Sequence, residues 1–93
     1  MTWEEIRQNI DDVMAIVNNM LALKYKTRVD GEEKIFKNNA GIEFALRKLG
    51  DKEPWNAIVI QYEDTLEDGD SFYPEDFNSV NDMFQAMLEE IES

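Results

Sequence analysis

The sequence predicts a small α+β fold, in which a three-stranded sheet is packed by helices in the order α-β-β-α-β-α. Apolar residues recur every three or four positions near both ends of the chain, which is typical of amphipathic helices. Between them, one segment alternates strictly and another is a continuous β-branched run, and both patterns favour strands. Since 43% of the 93 residues are hydrophobic, we expect a single domain over residues 1–93.

The first helix is predicted to begin at a capping box, because Thr2 and Glu5 have the T-x-x-E spacing. A continuous apolar stripe then predicts a helix of about five turns. The stripe consists of Trp3, Ile6, Ile10, Val13, Met14, Val17, Met20 and Leu21.

A hairpin is predicted to follow this helix. Apolar and threonine side chains from Leu23 to Val29 alternate with Lys24, Lys26 and Arg28. Asp30-Gly31 is a strong hairpin signal, and residues 32–37 would form the returning strand. An alternative interpretation continues the helix through Arg28. We prefer the strand because the alternation is strict and the turn follows at once.

The rest of the chain predicts a helix, a strand and a last helix. Asn38-Asn39 is interpreted as the cap of a short helix, which ends at Gly50 and has Ile42, Ala45, Leu46 and Leu49 on one face. Residues 55–62 predict the central, most buried strand. Residues 63–70 are predicted to be an acidic loop and 72–77 a turn. Ser79 caps a final helix whose stripe is Val80, Met83, Phe84, Met87, Leu88 and Ile91.

Charge is distributed very unevenly along the chain. Residues 1–50 contain eight acidic and eight basic residues, whereas residues 53–93 contain twelve acidic residues and no basic one. The formal net charge of −12 therefore belongs entirely to the C-terminal part. Such a charge opposes folding through self-repulsion, and its sign disfavours binding to nucleic-acid backbones or anionic lipid. The pattern indicates a cationic partner.

Composition argues against several function classes. The chain has no cysteine and no histidine, so disulfides, thiol chemistry and the commonest general base and metal ligand are absent. We expect no enzyme activity and no cofactor. We also expect no signal peptide and no membrane span, hence a cytoplasmic protein. Residues 64–75 match a calcium-binding loop in part, but Leu66 stands where an oxygen ligand is wanted; we assign no metal site and leave calcium binding open.

The candidate partner-binding surface is an acidic face concentrated in residues 63–93. Acids three or four positions apart on a helix stand about 5–6 Å apart, which resembles the spacing of phosphates along a nucleic-acid strand. Such an array can enter a groove lined by Lys and Arg through charge-assisted hydrogen bonds, with Tyr73 as an anchor. The alternative interpretation is that these acids form a solvated face that provides solubility. The candidate residues are Glu63, Asp64, Glu67, Asp68, Asp70, Tyr73, Glu75, Asp76, Asp82 and Glu89.

The last third of the chain resembles a class of proteins in composition. The segments Tyr62-Glu63-Asp64, Glu67-Asp68-Gly69-Asp70 and Phe72-Tyr73, with the acidic helix to Glu92, are similar to small acidic phage-encoded inhibitors, which include DNA-mimicking anti-CRISPR and anti-restriction proteins. The resemblance implies a non-enzymatic inhibitor that occupies the nucleic-acid-binding site of a host defence nuclease, for example the PAM-reading site of a Cas effector. Two alternatives stay open: an immunity protein that neutralises a basic nuclease toxin, and an acidic protein-interaction adaptor.

Overall fold

The sheet of this protein is a five-stranded antiparallel meander, in which the strands lie side by side in their order along the chain. The structure is a computed structural model that describes residues 2–49, 57–63 and 68–93. Its elements are α1 (Trp3–Ile6), α2 (Ile10–Lys24), β1 (Lys26–Asp30), β2 (Glu33–Lys37), β3 (Glu43–Leu49), β4 (Ala57–Tyr62), β5 (Asp68–Phe72), a 3₁₀ helix (Pro74–Asp76) and α3 (Val80–Ile91). The α+β class is confirmed, but the three-stranded sheet and the order α-β-β-α-β-α are wrong.

The predicted first helix is two helices. Thr2 caps α1 as expected, because its side chain accepts a hydrogen bond from the backbone N–H of Glu5. The helix ends after Ile6, and the side chain of Asn9 then caps α2 by accepting from the N–H of Asp11. Asn is among the best N-cap residues, so Asn9 favours a new helix start over a continuous helix.

The hairpin predicted at Asp30-Gly31 is confirmed. β1 pairs with β2 over five residue pairs, from Lys26↔Lys37 to Asp30↔Glu33. Gly31 has φ +65°, while Glu32 has no positive φ, which is the pattern of a type II′ turn. The α2 helix nevertheless continues to Lys24, so Leu23, which was predicted to begin the strand, is helical.

The helix predicted after Asn38-Asn39 is wrong, because this segment is a turn followed by β3. The Asn38 side-chain oxygen accepts from the backbone N–H groups of Ala40 and Ile42, so it organises a tight β2–β3 connection and caps no helix. β3 then pairs with β4 along six residues, from Phe44↔Tyr62 to Leu49↔Ala57. The predicted terminator Gly50 lies outside the described residues.

The two last strands account for the remaining differences. The buried strand predicted over 55–62 is confirmed for Ala57–Tyr62, whose first four residues are buried; Trp55 and Asn56 lie outside the described residues. The predicted acidic loop over 63–70 is wrong at its C-terminal end, since Asp68–Phe72 is β5 and pairs with β4. Ser79 caps α3 as predicted, because its side chain accepts from the N–H of Asp82.

Helices α2 and α3 cover one face of the sheet and form the core with it. Successive strand residues point to opposite faces, so the buried strand residues of the core share the face that the helices cover. The core comprises Ile10, Val13, Val17 and Leu21 of α2, Met83, Phe84, Met87 and Ile91 of α3, and Tyr25, Phe36, Phe44, Leu46, Ile58, Ile60 and Phe72. The helix α2 packs over β2, β3 and β4, while α3 packs over β5.

Candidate functional site

The meander turns the charge asymmetry of the sequence into an asymmetry of the molecule. Because strand order follows chain order, β1 to β3 lie on one side of the sheet and β5 lies at the other edge. Residues 26–49 contain six basic and four acidic residues, whereas residues 57–93 contain no basic residue. Four strand spacings of about 4.8 Å separate β1 from β5 by about 19 Å, roughly twice the Debye length at physiological salt. The two sides therefore present different charge to a partner.

We call the region formed by β5, the 3₁₀ helix and the solvent-facing stripe of α3 the acidic side. On α3, Asp82 and Glu89 are seven residues apart and both exposed, so they lie on the same stripe, about 10 Å from each other along the helix. Glu75 and Asp76 in the 3₁₀ helix and Asp70 in β5 are also exposed. These five carboxylates are presented to solvent by ordered elements.

Two hydrogen bonds fix the ends of the segment that holds the acidic side. The indole Nε1 of Trp3 donates to the carbonyl oxygen of Phe77 over 2.8 Å and so ties α1 to the entry of α3. At the other end, the side-chain amide of Asn38 donates to the carbonyl oxygen of Ile91 over 2.9 Å. Helix C-termini leave carbonyl groups without intrahelical partners, so Asn38 satisfies one that is otherwise unpaired.

Glu90 joins α3 to the backbone of β5. Its carboxylate accepts hydrogen bonds from the N–H of Asp70 and from the hydroxyl of Tyr62, the latter over 3.2 Å. A Cβ on Gly69 would lie 2.6 Å from either Glu90 carboxylate oxygen. A side chain at position 69 would therefore displace the Glu90 carboxylate from this place beside the strand. Burial, followed by the charge of Glu90, raises the pKa of Tyr62 to about 12.

Glu92 performs a similar structural task at the far end of α3. Its carboxylate accepts from the hydroxyl of Tyr25 over 2.5 Å and from the backbone N–H of Asn39 over 3.3 Å. Burial and the hydrogen bond to Glu92 raise the pKa of Tyr25 above its ordinary value. The Glu90 and Glu92 carboxylates therefore make hydrogen bonds within the chain, even though Glu92 is exposed.

The predicted site residues divide into three groups. Asp70, Glu75, Asp76, Asp82 and Glu89 are exposed on the acidic side, together with Tyr73, of which 40% is exposed. Glu63 is exposed at the end of β4, where its N–H bonds to the carbonyl oxygen of Glu43 on β3. The third group lies outside the described residues and consists of Asp64, Glu67 and the Asp68 side chain.

Sequence reasoning missed three contributors to this region. It gave no structural role to Tyr62 or Glu90, whose hydrogen-bond partners are distant in sequence, although the isolated Gly69 signals a close approach to the backbone. It also did not place α1 here. Because Trp3 is bonded to Phe77, α1 brings the exposed Glu4 and Glu5 next to the 3₁₀ helix, with Arg7 following them.

Pairing between β2 and β3 is short and leaves a groove between the β1–β2 hairpin and β3. Only Phe36↔Phe44 and Lys37↔Glu43 are in register, after which the β1–β2 hairpin diverges from β3. The groove has a volume of about 650 Å³, and its charged walls are mixed: Asp30, Glu32 and Glu33 line it together with Lys34, Arg47 and Lys48. An Arg47–Glu33 ion pair of 3.2 Å spans the gap.

Comparisons with known proteins do not identify the chain: no protein-family profile matches it, and neither a curated protein nor a solved structure does. Among the described residues, none of the helices combines the length and apolarity needed to cross a membrane. Within the same residues, no three carboxylates converge on a position suited to a metal ion. The partial match of residues 64–75 to a calcium-binding loop is not tested by this, since residues 64–67 lie outside the described part of the chain.

Proposed function

We propose that this protein is a non-enzymatic inhibitor that presents its acidic side to the basic, nucleic-acid-binding site of a nuclease, in the manner of a DNA mimic. Residues 57–93 include no basic residue, and the meander places the β5 strand at the edge of the sheet opposite β1. A partner that carries a Lys/Arg-lined groove would meet several exposed carboxylates there at once. Each contact would be a charge-assisted hydrogen bond, and association would be fast and sensitive to salt.

The distribution of ion pairs supports this proposal. Within residues 2–49, 57–63 and 68–93, the ion pairs are Arg28–Glu43, Arg47–Glu33 and Lys48–Asp11, all in the N-terminal half. Acids of the acidic side have no cation of their own half to pair with, because none exists in residues 57–93. Their charge is therefore available to a partner. A host defence nuclease such as a Cas effector fits this chemistry, and its action would place the protein in the cytoplasm.

Charge neutralisation with a matched control tests the proposal. The double variant E75Q/E89Q removes two exposed carboxylates from the acidic side, and E32Q/E33Q removes two glutamates from the β1–β2 hairpin at the opposite edge. Both variants change the net charge equally. We expect E75Q/E89Q to weaken binding to the nuclease by about tenfold or more, and E32Q/E33Q to change it little, since interfacial charge pairs are each worth more than about 1.4 kcal/mol when desolvated.

The assay has two stages. Immobilised protein captures nucleases from a host lysate at low salt, and a DNA duplex is then used to displace them. Purified RNA-guided and restriction nucleases are next tested for inhibition of DNA cleavage by the wild type and both variants. Displacement by DNA together with selective loss in E75Q/E89Q supports the proposal. Equal weakening in the two variants, or capture that DNA cannot displace, shows that no DNA-binding site is being occupied.

A further inference from the structure

The β1 strand is an open edge of the sheet that is exposed along its whole length. All five of its residues are exposed, and within the described part of the chain β2 is its sole neighbour in the sheet. The exposed fraction is 68% for Val29 and 91% for Leu23, which lies near the end of α2 just before the strand. An edge strand presents unpaired backbone groups that can pair with another chain.

Hydrogen-bond alternation identifies the free backbone groups of β1. The N–H of Asn38, the residue after β2, bonds to the carbonyl oxygen of Ile42. The backbone N–H and C=O groups of even-numbered residues in β2 therefore point toward β3. Its odd-numbered residues, including Ile35 and Lys37, are then directed toward β1. Their partners in register are Arg28 and Lys26. The backbone groups of Thr27 and Val29 therefore point outward from the sheet.

The charges of β1 are badly matched within the chain. Lys26 is paired in register with Lys37, and Asp30 with Glu33. Like charges directly opposite each other on neighbouring strands are destabilising. A second β1 strand, aligned antiparallel about Arg28, would bring Asp30 of one copy opposite Lys26 of the other, twice by symmetry. The same alignment pairs Thr27 with Val29, whose outward backbone groups are those that can bond.

We propose that β1 pairs with β1 of a second copy of this chain about a two-fold axis at Arg28, which joins two five-stranded sheets into one of ten strands. The interface is isologous, as in most homodimers. It would form four backbone hydrogen bonds, two Lys26–Asp30 pairs and two Thr27–Val29 contacts. The two Arg28 side chains face each other, but each is already bonded to Glu43 of its own chain, at 2.8 Å and 3.3 Å.

The charge distribution also favours this edge over the other one. A chain with net charge −12 repels its copies, and the opposite edge, β5, contains Asp68 and Asp70 and no basic residue. The segment from Lys26 to Leu49 has more basic than acidic residues. Association through β1 therefore places the two β5 strands at the far ends of the dimer. It does not depend on what the acidic sides bind.

A charge swap tests the register. The single variants K26E and D30K each replace two intermolecular attractions by two repulsions, while each relieves a like-charge pair inside its own hairpin. Loss of dimer in a single variant therefore cannot be attributed to a damaged hairpin. The double variant K26E/D30K restores opposite charges in the same register. We expect the dimer dissociation constant to rise about tenfold or more in each single variant and to return toward the wild-type value in the double variant.

Sedimentation equilibrium over a range of protein concentrations gives the result. The apparent mass of the wild type should rise from the monomer mass of 10.9 kDa toward twice that mass as the concentration increases. A separate variant, T27P, removes one outward N–H without touching the β1–β2 ladder and should also weaken the dimer. A wild type that stays monomeric up to about 1 mM overturns the proposal. So does a dimer that the single swaps leave unchanged, or one that the double variant fails to restore.

Discussion

Asn38 is expected to be the most important polar side chain for the stability of this fold. Only 7% of it is exposed, and its amide makes three hydrogen bonds: to Ile91 (2.9 Å), Ala40 (3.0 Å) and Ile42 (2.8 Å). Each typical hydrogen bond contributes about 1 kcal/mol net, and buried partners left unpaired cost more. Replacement of Asn38 by alanine should therefore lower the free energy of unfolding by about 3 kcal/mol.

The neighbouring asparagine provides the control. Asn39 is exposed, and its contact with Glu92 uses the backbone N–H, which alanine retains. N39A should thus change the free energy of unfolding by less than about 0.5 kcal/mol, as is usual for surface substitutions. A chain of this size is expected to have roughly 5–14 kcal/mol of total stability, so a loss of about 3 kcal/mol is easily resolved.

Urea unfolding followed by far-ultraviolet circular dichroism measures both variants. The midpoint should fall in N38A with no change in the denaturant slope, because the surface exposed on unfolding is the same. If Asn38 and Asn39 were merely the cap of a helix, the loss would be about 1 kcal/mol. Similar effects of N38A and N39A would refute the tie between the β2–β3 turn and the end of α3.

Two further predictions concern the junction of α3 with β5. G69A should destabilise the wild type by about 1–2 kcal/mol, since the Glu90 carboxylate must leave its two hydrogen bonds. In an E90A background the same substitution should be harmless. Chemical unfolding of the wild type, the two single variants and the double variant measures this coupling, and additive effects would contradict it. Because the pKa of Tyr62 rises from 10.0 to about 12 on folding, its contribution is complete below pH 10 and lost as pH rises through about 12. Y62F should flatten the fall in stability across that window, and an unchanged pH profile would rule out the proposed contact.

Elements with one dominant local signal could be predicted from the sequence. The α3 helix has a cap at Ser79 and a clear apolar stripe, and both agree with the structure. The β1–β2 hairpin has a glycine where the turn needs a positive φ. In these segments the local preference and the tertiary environment favour the same conformation, so no knowledge of distant contacts was needed.

The β3 strand could not be predicted because its sequence satisfies two periodicities. Residues 42–49 place Ile42, Ala45, Leu46 and Leu49 at helical spacing, and most are good helix formers. In the structure, Phe44, Ala45 and Leu46 are all buried, and β3 pairs with β4 over six residues. Pairing with a distant strand decided the conformation against local propensity.

The β5 strand was not predicted because its polar sequence contains no strand signal. Its sequence, Asp-Gly-Asp-Ser-Phe, has residues that are depleted in strands, and Phe72 is buried against the core. It is an edge strand held by β4 and by Glu90, whose bond to the Asp70 N–H comes from twenty residues away. Nothing local marks such a strand. Composition was enough to find the exposed acids of the site. It could not identify Glu90, because the structural role of this residue depends on partners that are distant in sequence.

Topology determines whether a charge gradient along a chain survives folding. A fold whose strand order differs from chain order would interleave the basic N-terminal strands with the acidic C-terminal ones. A meander cannot do this, so the asymmetry is retained across about 19 Å. The two proposals use opposite edges of that sheet. In a ten-stranded dimer, the two β5 strands would be about 43 Å apart, several Debye lengths at physiological salt. Their mutual repulsion would be screened, and each acidic side would remain free to bind a basic partner.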